Sequence, residues 1–303
     1  MEQNSVLLEV KHIYKSFSGV PVLRDLGFAV KKGEIHALMG ENGAGKSTVI
    51  KIITGVYTKD SGEIVYEGRE VPINSRSDAA KLGISTIFQE LSLIPTLTVA
   101  ENIYLGRERT GPFGAIRKKE RQRLVEDLIA SYDFPLSAHE LVENLSIAQK
   151  QLVEILKALS VDATLMIMDE PTASLTTTES QHLFKIIREL AAKGVSILYI
   201  SHRMEEVYQL SDTITVLRDG CKVGTYARDE VTPEDIIRYM IGKDIEDNES
   251  YAKPSENEGK TPILEVEHLR IPGVIQDVSF QVYPGEILGL SGLIGSGRTE
   301  IVR

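Results

Sequence analysis

The sequence predicts an α/β fold with a parallel core sheet built around a phosphate-binding loop, and three observations carry that expectation. Gly40-Glu41-Asn42-Gly43-Ala44-Gly45-Lys46-Ser47 follows the pattern G-x-x-x-x-G-K-[ST]. A short apolar run, Glu34 to Met39, precedes it, and a helically patterned stretch from Ser47 to Ile53 follows, giving the strand–loop–helix context the pattern needs. Further along, short apolar runs ending in polar pairs alternate with amphipathic segments, the mark of β-α-β crossovers with helices on both faces of a sheet.

In chain order, Val6 to Val10 and Leu26 to Val30 read as strands separated by a loop from Lys15 to Pro21. In the phosphate loop, glycines let successive N–H groups turn inward around phosphate oxygens. Lys46 can reach β- and γ-phosphates, and the Ser47 hydroxyl is placed to ligate Mg²⁺. The following helix adds partial positive charge at its start. Gly62 to Tyr66 is a strand with a turn at Gly68, and Ile84 to Phe88 a buried strand ending in Gln89-Glu90. From about 91 to 160 the pattern is helical: Val99 to Leu105, Arg117 to Tyr132, and Gln149 to Leu159 with Leu152, Ile155, Leu156 and Leu159 on one face. The sheet pattern then resumes. Thr164 to Met168 is a strand ending in Asp169-Glu170, Glu179 to Ala191 a helix, and Val195 to Ile200 a strand ending in Ser201-His202. Thr213 to Tyr226 forms a hairpin about Arg218-Asp219-Gly220, and Pro233 to Ile241 a closing helix started by Thr232.

The expected organisation is a nucleotide-binding domain over 1–242, a polar linker over 243–262, and a second domain begun at 263–303. After the linker the sequence starts again. Leu264-Glu265-Val266-Glu267-His268-Leu269 repeats Leu8-Glu9-Val10-Lys11-His12-Ile13, and Gly285 to Leu290 repeats Gly33 to Leu38. Gly292 to Thr299 then falls on the phosphate-loop pattern with Arg298 in the lysine position. The expectation is an incomplete second copy, ending at Arg303 within the helix after its loop.

Composition narrows the function class. With 303 residues, 42% hydrophobic and 26% charged, the chain can bury substantial cores. A net charge of -10 argues against general affinity for nucleic acid or anionic lipid. The single cysteine, Cys221, excludes an internal disulfide and a Cys-based metal site. Neither a signal peptide after Met1 nor a run of ~18–20 apolar residues is present, so a soluble, cytoplasmic chain is expected.

Three strand ends carry the remaining candidates. Asp169 is the strand-end acid that a phosphate loop pairs with to hold Mg²⁺, and Glu170 beside it can accept a proton from, or orient, an attacking water. Gln89 can touch both Mg²⁺ and that water through its amide, although a strand-end Gln is also common without a role. His202, one of 6 histidines, can hydrogen-bond a γ-phosphate; in isolation it reads equally as a helix cap or a satisfied loop histidine.

Taken in order, Phe17, Gly40 to Ser47, Gln89, Leu145-Ser146-Ile147-Ala148-Gln149, Asp169-Glu170, Ser174-Leu175-Thr176 and His202 resemble the nucleotide-binding subunits of ABC transporters. The second copy with Arg298 makes the chain look like the monosaccharide-importer ATPases for ribose, galactose, xylose and similar sugars, a resemblance that spans essentially the whole chain. It implies an ABC ATPase fold: a P-loop NTPase with an N-terminal antiparallel β part and a helical insertion. It also implies Mg²⁺-dependent ATP hydrolysis on the inner face of a membrane. Phe17 would stack on adenine, and Lys46, Ser47 and Thr48 would hold phosphates and Mg²⁺. Ser47, Gln89 and Asp169 would form the metal set, Glu170 would be the catalytic base, His202 the γ-phosphate sensor, and Gln89 the link to the permease. Ser146 and Gln149 belong to the signature segment.

The implied partners are permease subunits, indirectly a sugar-binding protein, and a second nucleotide-binding half or another copy; no nucleic acid is expected. Two departures stand out. The signature lacks its two glycines, with Ile147 and Ala148 in their place, and Arg298 is forked and bulky where a compact ammonium belongs. Both fall in one composite site, so this piece is expected to bind Mg·ATP and turn it over weakly. The alternatives are a soluble ABC ATPase acting on ribosomes or DNA and a nucleotide-binding regulatory module without turnover.

Overall fold

In the computed structural model, which describes residues 5–88, 91–108, 117–242, 260–292 and 296–302, the chain opens with two long strands, β1 (Val6–Phe17) and β2 (Val20–Lys31). They pair antiparallel through a turn at Ser18 and Gly19, both at positive φ. The expected loop from Lys15 to Pro21 is therefore mostly ladder: Lys15, Ser16 and Phe17 pair with Leu23, Pro21 and Val20. Asp60 explains why a polar stretch holds as strand. Its carboxylate accepts from Lys15 Nζ at 2.7 Å and from the Ser16 N–H at 2.6 Å.

Next come β3 (Ile35–Gly40), buried at every position, and α1 (Lys46–Ile53). With β4 (Ser61–Tyr66) and β5 (Arg69–Glu70), the first strands form an antiparallel sheet of order β2-β1-β4-β5. α2 (Arg76–Lys81), β6 (Ile84–Ile87), α3 (Val99–Tyr104), α4 (Lys118–Ser131) and α5 (Ile147–Leu159) follow. The chain returns to the core with β7 (Leu165–Asp169), α6 (Thr177–Ala192), β8 (Ser196–Ile200) and α7 (Met204–Leu210). β9 (Thr213–Arg218), β10 (Cys221–Ala227) and α8 (Pro233–Ile241) complete the first unit.

The second sheet has the order β10-β9-β3-β8-β7-β6. Its strands pair parallel except for the β9–β10 hairpin. Both faces are covered, so the strands read as continuous apolar runs. Alternation still sorts them: Leu165, Ile167, Leu198 and Ile200 face the core under α1 and the antiparallel sheet, while Met166, Met168, Ile197 and Tyr199 face the core shared with α5 and α6. Reciprocal capping boxes start α3, α5, α6 and α8, at Thr98/Glu101, Ser146/Gln149, Thr176/Glu179 and Thr232/Asp235. At 6 and 7 residues, α2 and α7 are too short to show a helical period in the sequence.

The chain divides into two compact units, Met1–Asp244 and Ile245–Arg303. In the second, β11 (Leu264–Ile271) and β12 (Ile275–Val282) form an antiparallel hairpin, and α9 (Arg298–Ile301) follows Gly297. The repeat extends to detail. His12 and His268 both sit at positive φ, with Nδ1 against Asp25 at 2.6 Å and Asp277 at 3.0 Å. Residues 285–290, matched in sequence to β3, form no strand, and Ile287 is 97% exposed. β3 is held by β8 and β9 on its two edges, and the described residues of the second unit supply no such neighbours.

Candidate functional site

The candidate site lies where β3, β7 and β8 end side by side, outside the carboxyl ends of parallel strands, where α/β sheets bind ligands. Gly40 closes β3 with φ 155°, and a Cβ there would meet the Leu217 carbonyl oxygen at 2.6 Å. Gly45 caps α1 at φ 98°, in the left-handed region that glycine enters without steric cost. Between them Gly43 has no neighbour within 4 Å of a would-be Cβ, so the loop is tight against the sheet and open on its other side. That is the shape of a cradle for an anion.

Lys46 Nζ donates to the Gly40 carbonyl at 2.7 Å and to that of Glu41 at 3.0 Å. Burial lowers its pKa, while the Glu170 and Asp169 carboxylates pull the other way. A cavity of about 460 Å³ is lined by Asn42, Gly43, Gly45, Lys46, Ser47, Thr48, Asp169, Glu170 and His202. The residues singled out in the loop and on two strand ends thus converge.

Asp169, the last residue of β7, is 7% exposed. Burial, reinforced by Glu170 and opposed by Lys46 and Lys51, pushes its pKa up to about 6. No described residue donates a hydrogen bond to its carboxylate, so the positive charges of Lys46 and Lys51 are what offsets its burial. A divalent cation held by Asp169 and the Ser47 hydroxyl would add to that positive charge and favour the ionised carboxylate. Mg²⁺ usually takes one or two protein oxygens and fills the rest of its octahedron with phosphate and water. The donor set fits that habit, and no cluster of three or more metal-binding side chains occurs among the described residues.

Glu170 leaves the strand at φ 49°, uncommon for a non-glycine residue, and its N–H donates to the Ile200 carbonyl at 2.9 Å. Its Oε1 lies 2.8 Å from His202 Nδ1. Where Nδ1–H donates to the carboxylate, the other ring nitrogen, Nε2, remains for a second partner. A carboxylate and an imidazole are thereby paired in the cavity that Lys46 and the phosphate loop line.

Phe17, at the end of β1, is not among the residues that line this cavity. Its half-exposed ring meets Tyr57 edge-on at 5.1 Å, and Lys15 Nζ sits 5.3 Å from its centroid. Tyr57 escaped the sequence reading; an aromatic shortly after α1 was its one signal. Gln89 lies outside the described residues. Ser146 and Gln149 cap α5 reciprocally, with Ile147 66% exposed beside them, and do not line the phosphate cavity. In the second unit Arg298 opens α9 directly after Gly297, as Lys46 follows Gly45.

Residues 23–173 match the family described as ABC transporter. Over 98% of its length the chain is 48% identical to the ribose import ATP-binding protein RbsA of Halalkalibacterium halodurans, and over 97% it is 46% identical to that of Hahella chejuensis. A putative ribose/galactose/methyl galactoside import ATP-binding protein of Burkholderia lata is 46% identical over 97% of the chain. The chain spans 59%, 58% and 55% of these relatives. Among solved structures, the ADP conformation of an ATP-binding cassette of an ABC transporter superposes with a TM-score of 0.66 at 25% identity, covering 78% of this chain and 99% of the other. An ATP-binding subunit of an ABC transporter gives 0.62 at 28% identity, covering 78% and 93%.

Proposed function

We propose, because this chain belongs to the ABC transporter family of ATP-binding proteins, that it binds and hydrolyses Mg·ATP to energise import of a monosaccharide through a membrane permease. The observation that carries this reading is the 2.8 Å Glu170–His202 pair set over Lys46 and Asp169 in one cavity. Lys46 exchanges its loop carbonyls for phosphate oxygens. Ser47 and Asp169 hold Mg²⁺, which when bound neutralises phosphate charge. Glu170 takes the proton of the attacking water and His202 holds the γ-phosphate. Phe17 supplies a face for adenine.

A second cavity, of about 660 Å³, supports a mechanical partner. It is lined by Arg76, Phe88, Arg107, Glu154 and Lys157, and it shares Ser47 and Asp169 with the nucleotide cavity. An element of the permease seated there would touch the residues that hold the metal. No helix among the described residues is long and apolar enough to cross a membrane, so the path for the sugar is assigned to the partner. The protein would act from the inner membrane face, with a sugar-binding protein delivering cargo to the permease. A second nucleotide-binding half or another copy would close over this loop. Residues 1–242 act as the nucleotide-binding domain, 243–262 as linker and 263–303 as the start of the next domain, a division supported by the change of unit at Asp244.

The partner assignment is tested by co-sedimentation with inverted vesicles carrying the cognate permease, against ribosomes and duplex DNA. Binding to the permease vesicles alone is expected. Preference for ribosomes or DNA would overturn it.

Proton competition at Asp169 gives a second expected result. A carboxyl raised to about 6 in the folded protein is ionised, and able to hold Mg²⁺, above that pH and is protonated below it. The Mg²⁺-dependent part of ATP affinity is therefore retained near pH 8 and declines by about tenfold per unit below pH 6. Asp169→Asn should lack that part throughout. Titrations at fixed Mg²⁺ across this range check it, and a flat profile for the unaltered protein would contradict the assignment.

A further inference from the structure

Behind the site, one buried carboxylate gathers donors from both of the loops that carry the reacting residues. Glu206, in the first turn of α7, is 6% exposed. Thr172 Oγ1 donates to it, 2.7 Å from Oε1 and 2.9 Å from Oε2. Tyr199 OH and Ser201 Oγ donate to Oε2 at 2.7 and 2.9 Å, and Arg203 Nη1 donates to Oε1 at 3.2 Å. Thr172 lies on the loop of Glu170, and Ser201 and Arg203 flank His202.

We infer that Glu206 is a positioning residue: by tying these two loops to a single buried carboxylate, it holds Glu170 and His202 at their 2.8 Å hydrogen-bonded separation. This rests on the hydrolytic reading of that pair. The ladder between β7 and β8 ends at Asp169 opposite Ile200, and the Glu170 N–H to Ile200 carbonyl bond follows it. Beyond that point the two backbones leave the sheet on separate turns. Among the described residues, the Glu170–His202 bond and the donors converging on Glu206 tie the two by side chains.

The chemistry of the acceptor matters. An ionised carboxylate offers two oxygens and no hydrogen, so it can accept from all these donors at once. Thr172, Tyr199 and Ser201 are 2%, 0% and 3% exposed, which leaves little room for water to replace a lost partner. Ser201 Oγ accepts from the Arg203 N–H at 3.0 Å, which leaves its proton for Glu206. Burial, then the charge of Glu206 and the hydrogen bond to it, push the Tyr199 phenol far up and keep it a donor. A rigid acceptor of this kind preserves a catalytic geometry that a small displacement would spoil.

The test is Glu206→Gln in the full chain, because the amide turns one acceptor oxygen into a donor facing other donors. Turnover of Mg·ATP is expected to fall at least tenfold with KM within twofold. Independently of turnover, the ¹⁵N-histidine signal of His202 should move in the direction seen for Glu170→Gln. Thr172→Val, which removes one tie and keeps the side-chain shape, should move it the same way by less, and it decides the matter if Glu206→Gln does not fold. An unmoved His202 signal in folded variants, even with lowered thermal stability, would overturn the inference, as would a loss confined to KM. Should the transporter assembled with the unaltered chain fail to hydrolyse ATP, the hydrolytic reading falls, and the His202 signal still decides whether Glu206 sets the pair.

Discussion

Glu170→Gln is expected to slow ATP hydrolysis by about 10²–10³-fold, in the range that one positioned general base contributes, while leaving Mg·ATP affinity within about threefold. Glutamine matches the glutamate in size, and its carbonyl oxygen can still accept from His202 Nδ1, at 2.8 Å in the native pair. It cannot take a proton from water. Phosphate release measured in the assembled transporter, beside equilibrium nucleotide binding, separates the two effects. Unchanged hydrolysis would mean that Glu170 is not the base.

Lys46→Ala is expected to act on binding instead. Its ammonium now donates to the Gly40 and Glu41 carbonyls at 2.7 and 3.0 Å, and those bonds are exchanged for phosphate oxygens when nucleotide arrives. Because the bonds to phosphate replace two bonds to loop carbonyls, the net loss is about that of one charge-assisted hydrogen bond, about 1.5–3 kcal/mol, which should weaken ATP binding by about 10–100-fold. Lys46→Arg should not restore it. The loop is packed so closely that a Cβ on Gly40 would lie 2.6 Å from the Leu217 carbonyl, and a forked guanidinium does not occupy the space of a compact ammonium. Affinity unchanged in Lys46→Ala would remove the loop from the site.

Much of the site was legible because it depends on local pattern. The phosphate loop declares itself by glycine spacing. Asp169-Glu170 and Ser201-His202 show as polar pairs that end apolar runs, and the structure brings them to one cavity with Lys46. What stayed hidden depends on partners distant in sequence. Nothing near Lys15 or Ser16 signals that Asp60, 45 and 44 residues away, will hold them in a strand. Glu206 reads as an ordinary charge at the start of a short helix until Thr172, 34 residues before it, is seen to donate to it. The converse holds at 285–290: the residues repeat Gly33 to Leu38 at four of six positions, yet a strand exists only where neighbours complete its ladder.

The most direct measurement is a crystal structure with Mg²⁺ and a non-hydrolysable ATP analogue. The account predicts Lys46 released from Gly40 and Glu41 and bonded to phosphate, Mg²⁺ between Ser47 and Asp169, adenine against Phe17, and the γ-phosphate facing the Glu170–His202 pair. Nucleotide bound elsewhere, or Lys46 still on its loop carbonyls with the analogue in place, would contradict it.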